Sequence, residues 1–365
     1  MLSSMDDYPI HQIAETIAHV GTSDRNFYDR YYFNLHSCSD ELFLIMGLGQ
    51  YPNLGVQDAF AVARRGITHR VVRASREIGD RMDTSVGPFR IEIIEGLRKL
   101  RVILEANEHG MEFDLRWQGA MPAFEEPRHY VRKHGRVLFD TMRFCQTGYW
   151  EGDLRIGDET FRITPDRWWG TRDRSWGVRP VGEPEHPGVR QGELAMEGMW
   201  NYAPMQFDDY SILYMVQESN SGERVMEEAV RIWHDASREP EWLGRPKHAH
   251  SFRRGSRMIE SSVLSFPEAP GNGIEVKLTP LTECHVGIGT GYGFDPDWRH
   301  GMYQGPLVVQ GLELDTEADS EKLWGLCDSV ARFELDGDVG FGLHEYGFFG
   351  PFDKYGLPGF RDGQK

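Results

Sequence analysis

Cysteine is scarce in this chain: four in 365 residues, at positions 38, 145, 284 and 327, with no C-x-x-C pair. That spacing excludes a zinc knuckle and a thioredoxin-like motif, and a reducing cytoplasm is the expected compartment. A basic excess is also lacking. Forty Lys and Arg stand against 57 Asp and Glu, a formal net charge of −17. Nucleic acid, which is bound through basic surface, is therefore not an expected partner. Nor is there a polybasic segment for an anionic membrane. Apolar runs such as 42–48 are far too short to span a bilayer. Residues 1–9 carry acids rather than a basic patch and an apolar core, so no signal peptide is expected. The phosphate loop G-x-x-x-x-G-K-[ST] and the nucleophile elbow G-x-S-x-G are absent. His344-Glu345-Tyr346 begins like H-E-x-x-H but lacks the second histidine.

What is present is a folded-protein composition, 39% hydrophobic and 12% aromatic, at a length that favours two domains. Period-two alternation recurs at short intervals. It covers 27–35, 41–47, 57–63, 69–73, 89–94, 100–106 and 111–117, then 210–218, 225–234, 258–266, 274–278, 307–314 and 330–335. Forty-one glycines and 19 prolines punctuate these runs, and Glu108-His109-Gly110 reads as a hairpin turn. One helix is expected over 9–20, where Ile10, Ile13, Ile17 and Val20 share a face and Gly21 stops the run. Residues 319–329 fit helix or strand equally. Many short antiparallel strands at regular spacing predict an all-β protein of barrels or sandwiches. Two such units, 1–182 and 183–365, fit the length, with the Pro- and Gly-rich stretch 180–192 as linker.

Gly287-Ile288-Gly289-Thr290-Gly291-Tyr292-Gly293 does not satisfy G-x-G-x-x-G. Read as a strand continuing to Phe294, it places four glycines on one face, giving space inside a barrel or a sharp bend. His248 and His250 share a strand face, but the basic Arg245–His248 segment and the missing third ligand favour a solvated loop over a metal site. Glu283 and His285 fit either acid–base work or a satisfied polar pair.

The densest chemistry lies at the middle of the chain, in Trp168-Trp169-Gly170-Thr171-Arg172-Asp173-Arg174-Ser175-Trp176-Gly177-Val178-Arg179. Indoles around Asp173 would desolvate it and raise its pKa, while Arg172, Arg174 or Arg179 would lower it. In the first case Asp173 is a neutral acid able to protonate an alkene or alcohol, with tryptophan π-faces stabilising the cation. In the second it is a fixed anion: a base, an orienter, or half of a structural Arg–Asp network.

Residues 170–179 resemble the G-x-R-D-H-x-W-G-x-R signature of tandem lipocalin-like proteins related to carotenoid 1,2-hydratase (hydroxyneurosporene synthase) and the AttH group. Gly148-Tyr149-Trp150-Glu151-Gly152, Trp298-Arg299-His300-Gly301 and Glu345-Tyr346-Gly347-Phe348-Phe349-Gly350-Pro351 are similar to segments of that group as well. The resemblance implies two lipocalin-like antiparallel β-barrels in tandem, with few short helices and a ligand cavity near their interface. It implies neither metal nor organic cofactor. Asp173 aligns with the acid proposed to protonate the alkene in the hydratase. Arg174 stands where the family has histidine, replacing a proton relay by a permanent cation.

The expected site therefore combines Asp173, Arg172, Trp176, His300 and Tyr292 as catalytic candidates. Trp168, Trp169, Arg179, Trp200, Tyr202, Tyr303 and Tyr346 are the candidates for holding substrate. The leading expectation is cofactor-independent, acid-initiated hydration, dehydration or isomerisation of an apolar, isoprenoid- or steroid-like molecule. A non-catalytic carrier of a hydrophobic ligand is the alternative. A cyclase acting by preorganising its substrate is the third.

Overall fold

Alternating apolar and polar residues resolve into strands that pair antiparallel throughout, in two sheets. The computed structural model describes residues 1–365 except 12, 13, 134, 183–196, 294, 360, 364 and 365. Strand bounds match the period-two segments closely, as at Tyr210–Glu218 and Ile259–Phe266.

Along the first sheet the strands run Leu307–Asp315, Thr68–Glu77, Val56–Arg65, Phe43–Tyr51, Phe27–His36, Trp169–Val178, Arg136–Ile156, Met111–Gly119, Lys99–Leu104, Phe89–Glu95 and Ser85–Val86. The second runs Glu241–Trp242, Arg224–Trp233, Tyr210–Glu218, Gly198–Gln206, Asp338–Phe349, Cys327–Leu335, Ile274–His285, Ile259–Phe266 and Lys247–Phe252. One sheet curls into a nearly closed barrel and the other into a half-barrel, the tandem lipocalin-like layout. Its sequence origin is plain in the strands, but one crossing is not. Leu307–Asp315, from the second half of the chain, pairs with Thr68–Glu77 at the edge of the first sheet.

Three cores follow from the two faces of each strand. One fills the first barrel with Phe33, Leu44, Trp117 and Trp150, and another fills the second with Met205, Tyr214, Phe266 and Phe333. The third lies between the sheets, where Tyr32, Phe60 and Val71 meet Tyr202, Leu213 and Leu343. In the first barrel the void among Phe33, Met46, Phe89, Ile91 and Val102 is about 10 Å³, no more than one water needs. At that point the barrel is packed rather than hollow.

Several expectations are corrected. The described residues of 9–20 form bends and turns rather than a helix, and Ile13 lies outside the described residues. Inward-facing polar groups explain this: Asp7 is fully buried and tied to Arg172, so the segment follows its ion pairs rather than helical periodicity. Residues 319–329 divide into a 3-10 turn, Ser320–Lys322, and the start of the strand Cys327–Leu335. Residues 183–192 of the expected linker are outside the described residues.

The glycine strip is not a strand. Pairing ends at His285, and Gly289, Gly291 and Gly293 all adopt positive φ. Phe294 lies outside the described residues. A Cβ on Gly291 would come within 2.4 Å of His300 Cδ2, so the glycines let the loop close over that imidazole. Gly170 serves a close approach of another kind. Its missing Cβ leaves room for Asn34 O at 2.0 Å and for Trp150 Nε1 at 2.7 Å. Gly170→Ala is expected to cost about 1–3 kcal/mol through overpacking, read as a lowered thermal midpoint. An unchanged midpoint would show that the strands can part there freely.

Candidate active site between the two sheets

Trp169–Val178 is a central strand of the first sheet, with Phe27–His36 on one side and Arg136–Ile156 on the other. Alternation sends its side chains to two different places. Arg172, Arg174 and Trp176 turn towards the N-terminal segment at the end of the first barrel. Arg172 Nη1 and Nη2 donate to the Asp7 carboxylate at 2.6 and 3.1 Å, and its Nε donates to Gln146 at 2.8 Å. Arg174 pairs with Asp29 and lies over the Tyr31 ring at 4.1 Å. Trp176 stacks on His11 at 3.6 Å.

Asp173 points the other way, towards the second sheet. It stands opposite Tyr32 on one neighbouring strand and Cys145 on the other. The indoles expected to surround it do not. Trp168 is packed inside the first barrel against Phe161, and Trp169 meets Tyr149 and Phe341 edge-on. The indole that joins the acid cluster is Trp200, which stacks on Tyr202 at 5.9 Å. Alternation turns Trp168 and Trp176 to the face opposite Asp173, whereas Trp169 shares its face but lies four residues along the strand, against Phe341. It also removes the concern raised by Arg174, whose side chain lies on the far face from Asp173.

The carboxylates meeting at this point come from four segments. Asp173 shares it with Glu126, Asp328 and Glu345, and the cations Arg143 and Arg30 accompany them. Arg143 Nε donates to Glu126 at 2.5 Å, Tyr202 OH donates to the other Glu126 oxygen at 2.9 Å, and Arg143 lies over both the Trp200 and Tyr202 rings. Asp328 and Glu345 stand directly opposite each other on paired strands, where each carboxyl group acts on the other's protonation. Tyr32 OH donates to Asp328 Oδ2, and Trp200 Nε1 donates to Glu345 Oε1.

Asp173 itself has no ion pair or hydrogen bond to its carboxylate among the described residues. Its side chain, like those of Arg143, Tyr292 and Glu345, keeps some surface reachable by water although protein encloses it on all sides. Those two properties together define the wall of a recess. Burial pushes the Asp173 pKa up to about 7; Arg143 opposes this, and Glu126 and Glu345 reinforce it. Desolvation therefore wins over the guanidiniums. Burial likewise raises the pKa of Glu345, and raises that of Asp328 well above the carboxylate range.

His300 and Tyr292 form the neighbouring corner, their rings 4.5 Å apart. His300 Nε2 donates to Thr290 O at 2.8 Å, leaving Nδ1 to accept from Arg30 at 2.6 Å and Arg179 at 3.3 Å. Burial and the two guanidiniums hold its pKa well below the usual value, so it stays neutral and acts as an acceptor. Beside it, burial raises the Asp58 pKa to about 6. Arg179 covers the Tyr28 ring at 4.4 Å. Tyr303 is exposed and donates to Glu77 at 3.0 Å, away from the recess. Tyr346 belongs to the second barrel's interior, where its OH accepts from Ile259 N at 3.2 Å.

Of the residues expected from sequence, the structure brings Asp173, Trp200, Tyr202, Tyr292 and His300 near one another; Tyr32, Glu126, Arg143, Asp328 and Glu345, which join them, were not among the expected site residues. Asp328 was detectable in principle only as an acid beside the apolar positions Val330, Ala331 and Phe333 of the strand Cys327–Leu335. Nothing local marks Glu126 or Arg143. Two further readings are corrected. His248 and His250 are on the strand Lys247–Phe252, buried and stacked at 4.8 Å rather than solvated. Glu218, Tyr355 and Ser262 satisfy them. Glu283 pairs with Arg253, across from the side of the strand that buries Cys284. Among the described residues no group of three or more His, Cys, Asp or Glu is arranged to hold a metal ion. No helix among them is long and apolar enough to cross a membrane.

A nearly closed barrel and a half-barrel, with a polar recess between them, define a tandem lipocalin-like protein. The chain belongs to a family of unknown function, DUF8625, whose model matches residues 2–358. No curated protein sequence matches it. Among solved structures it is similar to a putative AttH from Nitrosomonas europaea, with 12% identity, TM-score 0.54 and coverage of 90% of this chain and 94% of that one. It is also similar to kievitone hydratase from Nectria haematococca, at 14% identity and TM-score 0.53, covering 93% and 98% of the two chains. CghA solved with Sch210972 gives 11% identity and TM-score 0.50 over 94% and 95%. At these identities the likeness establishes the shared fold.

Proposed function

We propose that the recess between the sheets is an active site that adds water to, or removes it from, an apolar isoprenoid- or steroid-like molecule, or moves its double bond. Asp173 supplies the initiating proton. The observation that carries this reading is a carboxyl group reachable by water, enclosed by protein and left without an ion partner. With a pKa raised to about 7, it is partly protonated at neutral pH, as a general acid must be.

Protonation of an alkene carbon by Asp173 leaves a cation on the substrate and a carboxylate on the enzyme, side by side. Glu126 and the charge held by Asp328 and Glu345 add to the local negative field, while Arg143 and Arg30 limit it. Trp200, Tyr202 and Tyr292 provide the apolar walls such a substrate needs. The hydratase among the fold's relatives lends support by showing that this architecture can host water addition. No step in this reading calls for a metal or an organic cofactor.

The test is incubation of the protein with a panel of isoprenoid alcohols, isoprenoid alkenes and steroids, followed by mass spectrometry. A product differing from its precursor by one water, or an isomer of equal mass, is the expected result. Tight binding without any product across the panel would instead identify a carrier.

A further inference from the structure

We infer that Asp328 and Glu345 act as one proton-sharing pair that takes the proton from the attacking water, the complement of the proton Asp173 gives. The inference rests on the reading of Asp173 as the acid. Asp328 and Glu345 are cross-strand partners whose carboxyl groups act on each other's protonation, and one proton held between them would let the two hydrogen-bond. Asp328 is fully buried, with Oδ2 accepting from Tyr32 and Oδ1 lacking a donor among the described residues. A shared proton answers that orphan oxygen. Two carboxyls in one enclosed site cannot both ionise, so the pair carries a single negative charge and one vacancy for a second proton.

Position distinguishes the two members. Asp328 is sealed beneath Tyr32, whereas Glu345 retains surface reachable by water in the same recess as Asp173. Glu345 is therefore the member that meets the substrate's water. In hydration the alkene π electrons form a C–H bond with the Asp173 proton. A water lone pair then forms the C–O bond to the resulting cation, and the water's surplus proton passes to Glu345. The pair returns that proton to Asp173 through solvent in the recess, so the enzyme is unchanged and the substrate gains one water. In dehydration the same groups act in reverse: the pair protonates the leaving hydroxyl and Asp173 accepts the proton lost from carbon.

The charged and titratable groups facing the pair are Asp173, Arg143, Glu126, Tyr32, Tyr292 and the thiols of Cys284 and Cys327. The pair and Asp173 together predict a bell-shaped profile of kcat/KM. It falls at high pH when Asp173 loses its proton and at low pH when the pair fills.

Glu345→Gln keeps an oxygen for the Trp200 N–H and is nearly isosteric. It is expected to lower kcat at least ~100-fold, leave KM within a few-fold, and remove the low-pH limb of the profile. A readout without substrate accompanies it. At pH 9, where Asp173 (pKa about 7) and Asp58 (pKa about 6) are ionised, the wild-type protein should show a protonated-carboxyl C=O stretch in the infrared that disappears in both Glu345→Gln and Asp328→Asn. Turnover by Glu345→Gln near the wild-type rate with an unchanged profile would overturn the inference while leaving Asp173 as the acid. Absence of the infrared band in wild type would overturn it whatever the substrate. If Asp173→Asn were fully active, the underlying reading would fail instead.

Discussion

Asp173→Asn is expected to lower turnover at least ~100-fold while leaving ligand binding nearly intact, because asparagine fills the same space but holds no transferable proton. The same substitution should make the protein more stable at neutral and alkaline pH. In the folded state burial raises the Asp173 pKa to about 7 from its ordinary value of 3.8. The folded form thus binds the proton more tightly than the unfolded chain. The resulting stability is fully present below the unfolded pKa and is lost as pH rises through about 7. Above that, wild type bears a buried carboxylate without an ion partner and the asparagine variant does not. The difference is expected to be on the order of 2 kcal/mol at pH 8, since water in the recess softens the full burial penalty. Asp58, with a pKa raised to about 6, gives the same slope in both proteins, so the difference between their denaturation curves isolates Asp173. A variant that is less stable than wild type at every pH would show that Asp173 is a structural anion.

Arg172→Met should have the largest effect on stability. Arg172 and Asp7 are both fully buried, and the guanidinium holds the carboxylate through two hydrogen bonds. Removing the cation leaves the Asp7 carboxyl enclosed without its guanidinium, with the Leu97 N–H as its remaining donor among the described residues. Breaking one side of such a pair costs about 3–5 kcal/mol. For a chain of this size that corresponds to a fall in Tm of about 5 °C. Adding Asp7→Leu should return most of the loss, because the two apolar side chains replace the pair without stranding a charge. A single variant melting with wild type would mean that the N-terminal segment does not anchor the barrel. These two substitutions, one residue apart, are expected to act in opposite ways. Asp173→Asn should remove turnover and keep the fold; Arg172→Met should weaken the fold and leave the recess in place.

Much of the architecture was legible in the chain. The alternation at 27–35 or 210–218 needs only one buried face to become a strand, and Gly and Pro mark where each strand turns. The expected helix at 9–20 failed for a definable reason. Its apolar spacing was real, but Asp7 binds Arg172 far along the chain and His11 binds Asp29, and those bonds set the path. The glycines of 287–293 misled in a similar way. Their regular spacing suited a strand, whereas the positive φ values and the His300 imidazole against Gly291 are tertiary facts.

The sequence by itself determined an acidic, all-β protein of two units, and it singled out Asp173 as an acid in unusual company. Tertiary structure alone decided what that company is. A strand sends adjacent residues to opposite faces, so Arg172, Arg174 and Trp176 are turned away from Asp173 in space, and Trp169, on the same face, packs farther along the strand against Phe341. Its true neighbours, Tyr32, Glu126, Arg143, Asp328 and Glu345, come from strands and loops up to the far end of the chain. Pairing between strands, rather than proximity along one, determines which charges share a dielectric environment. That is why the direction of the Asp173 pKa could be posed as a question from sequence and answered from the fold.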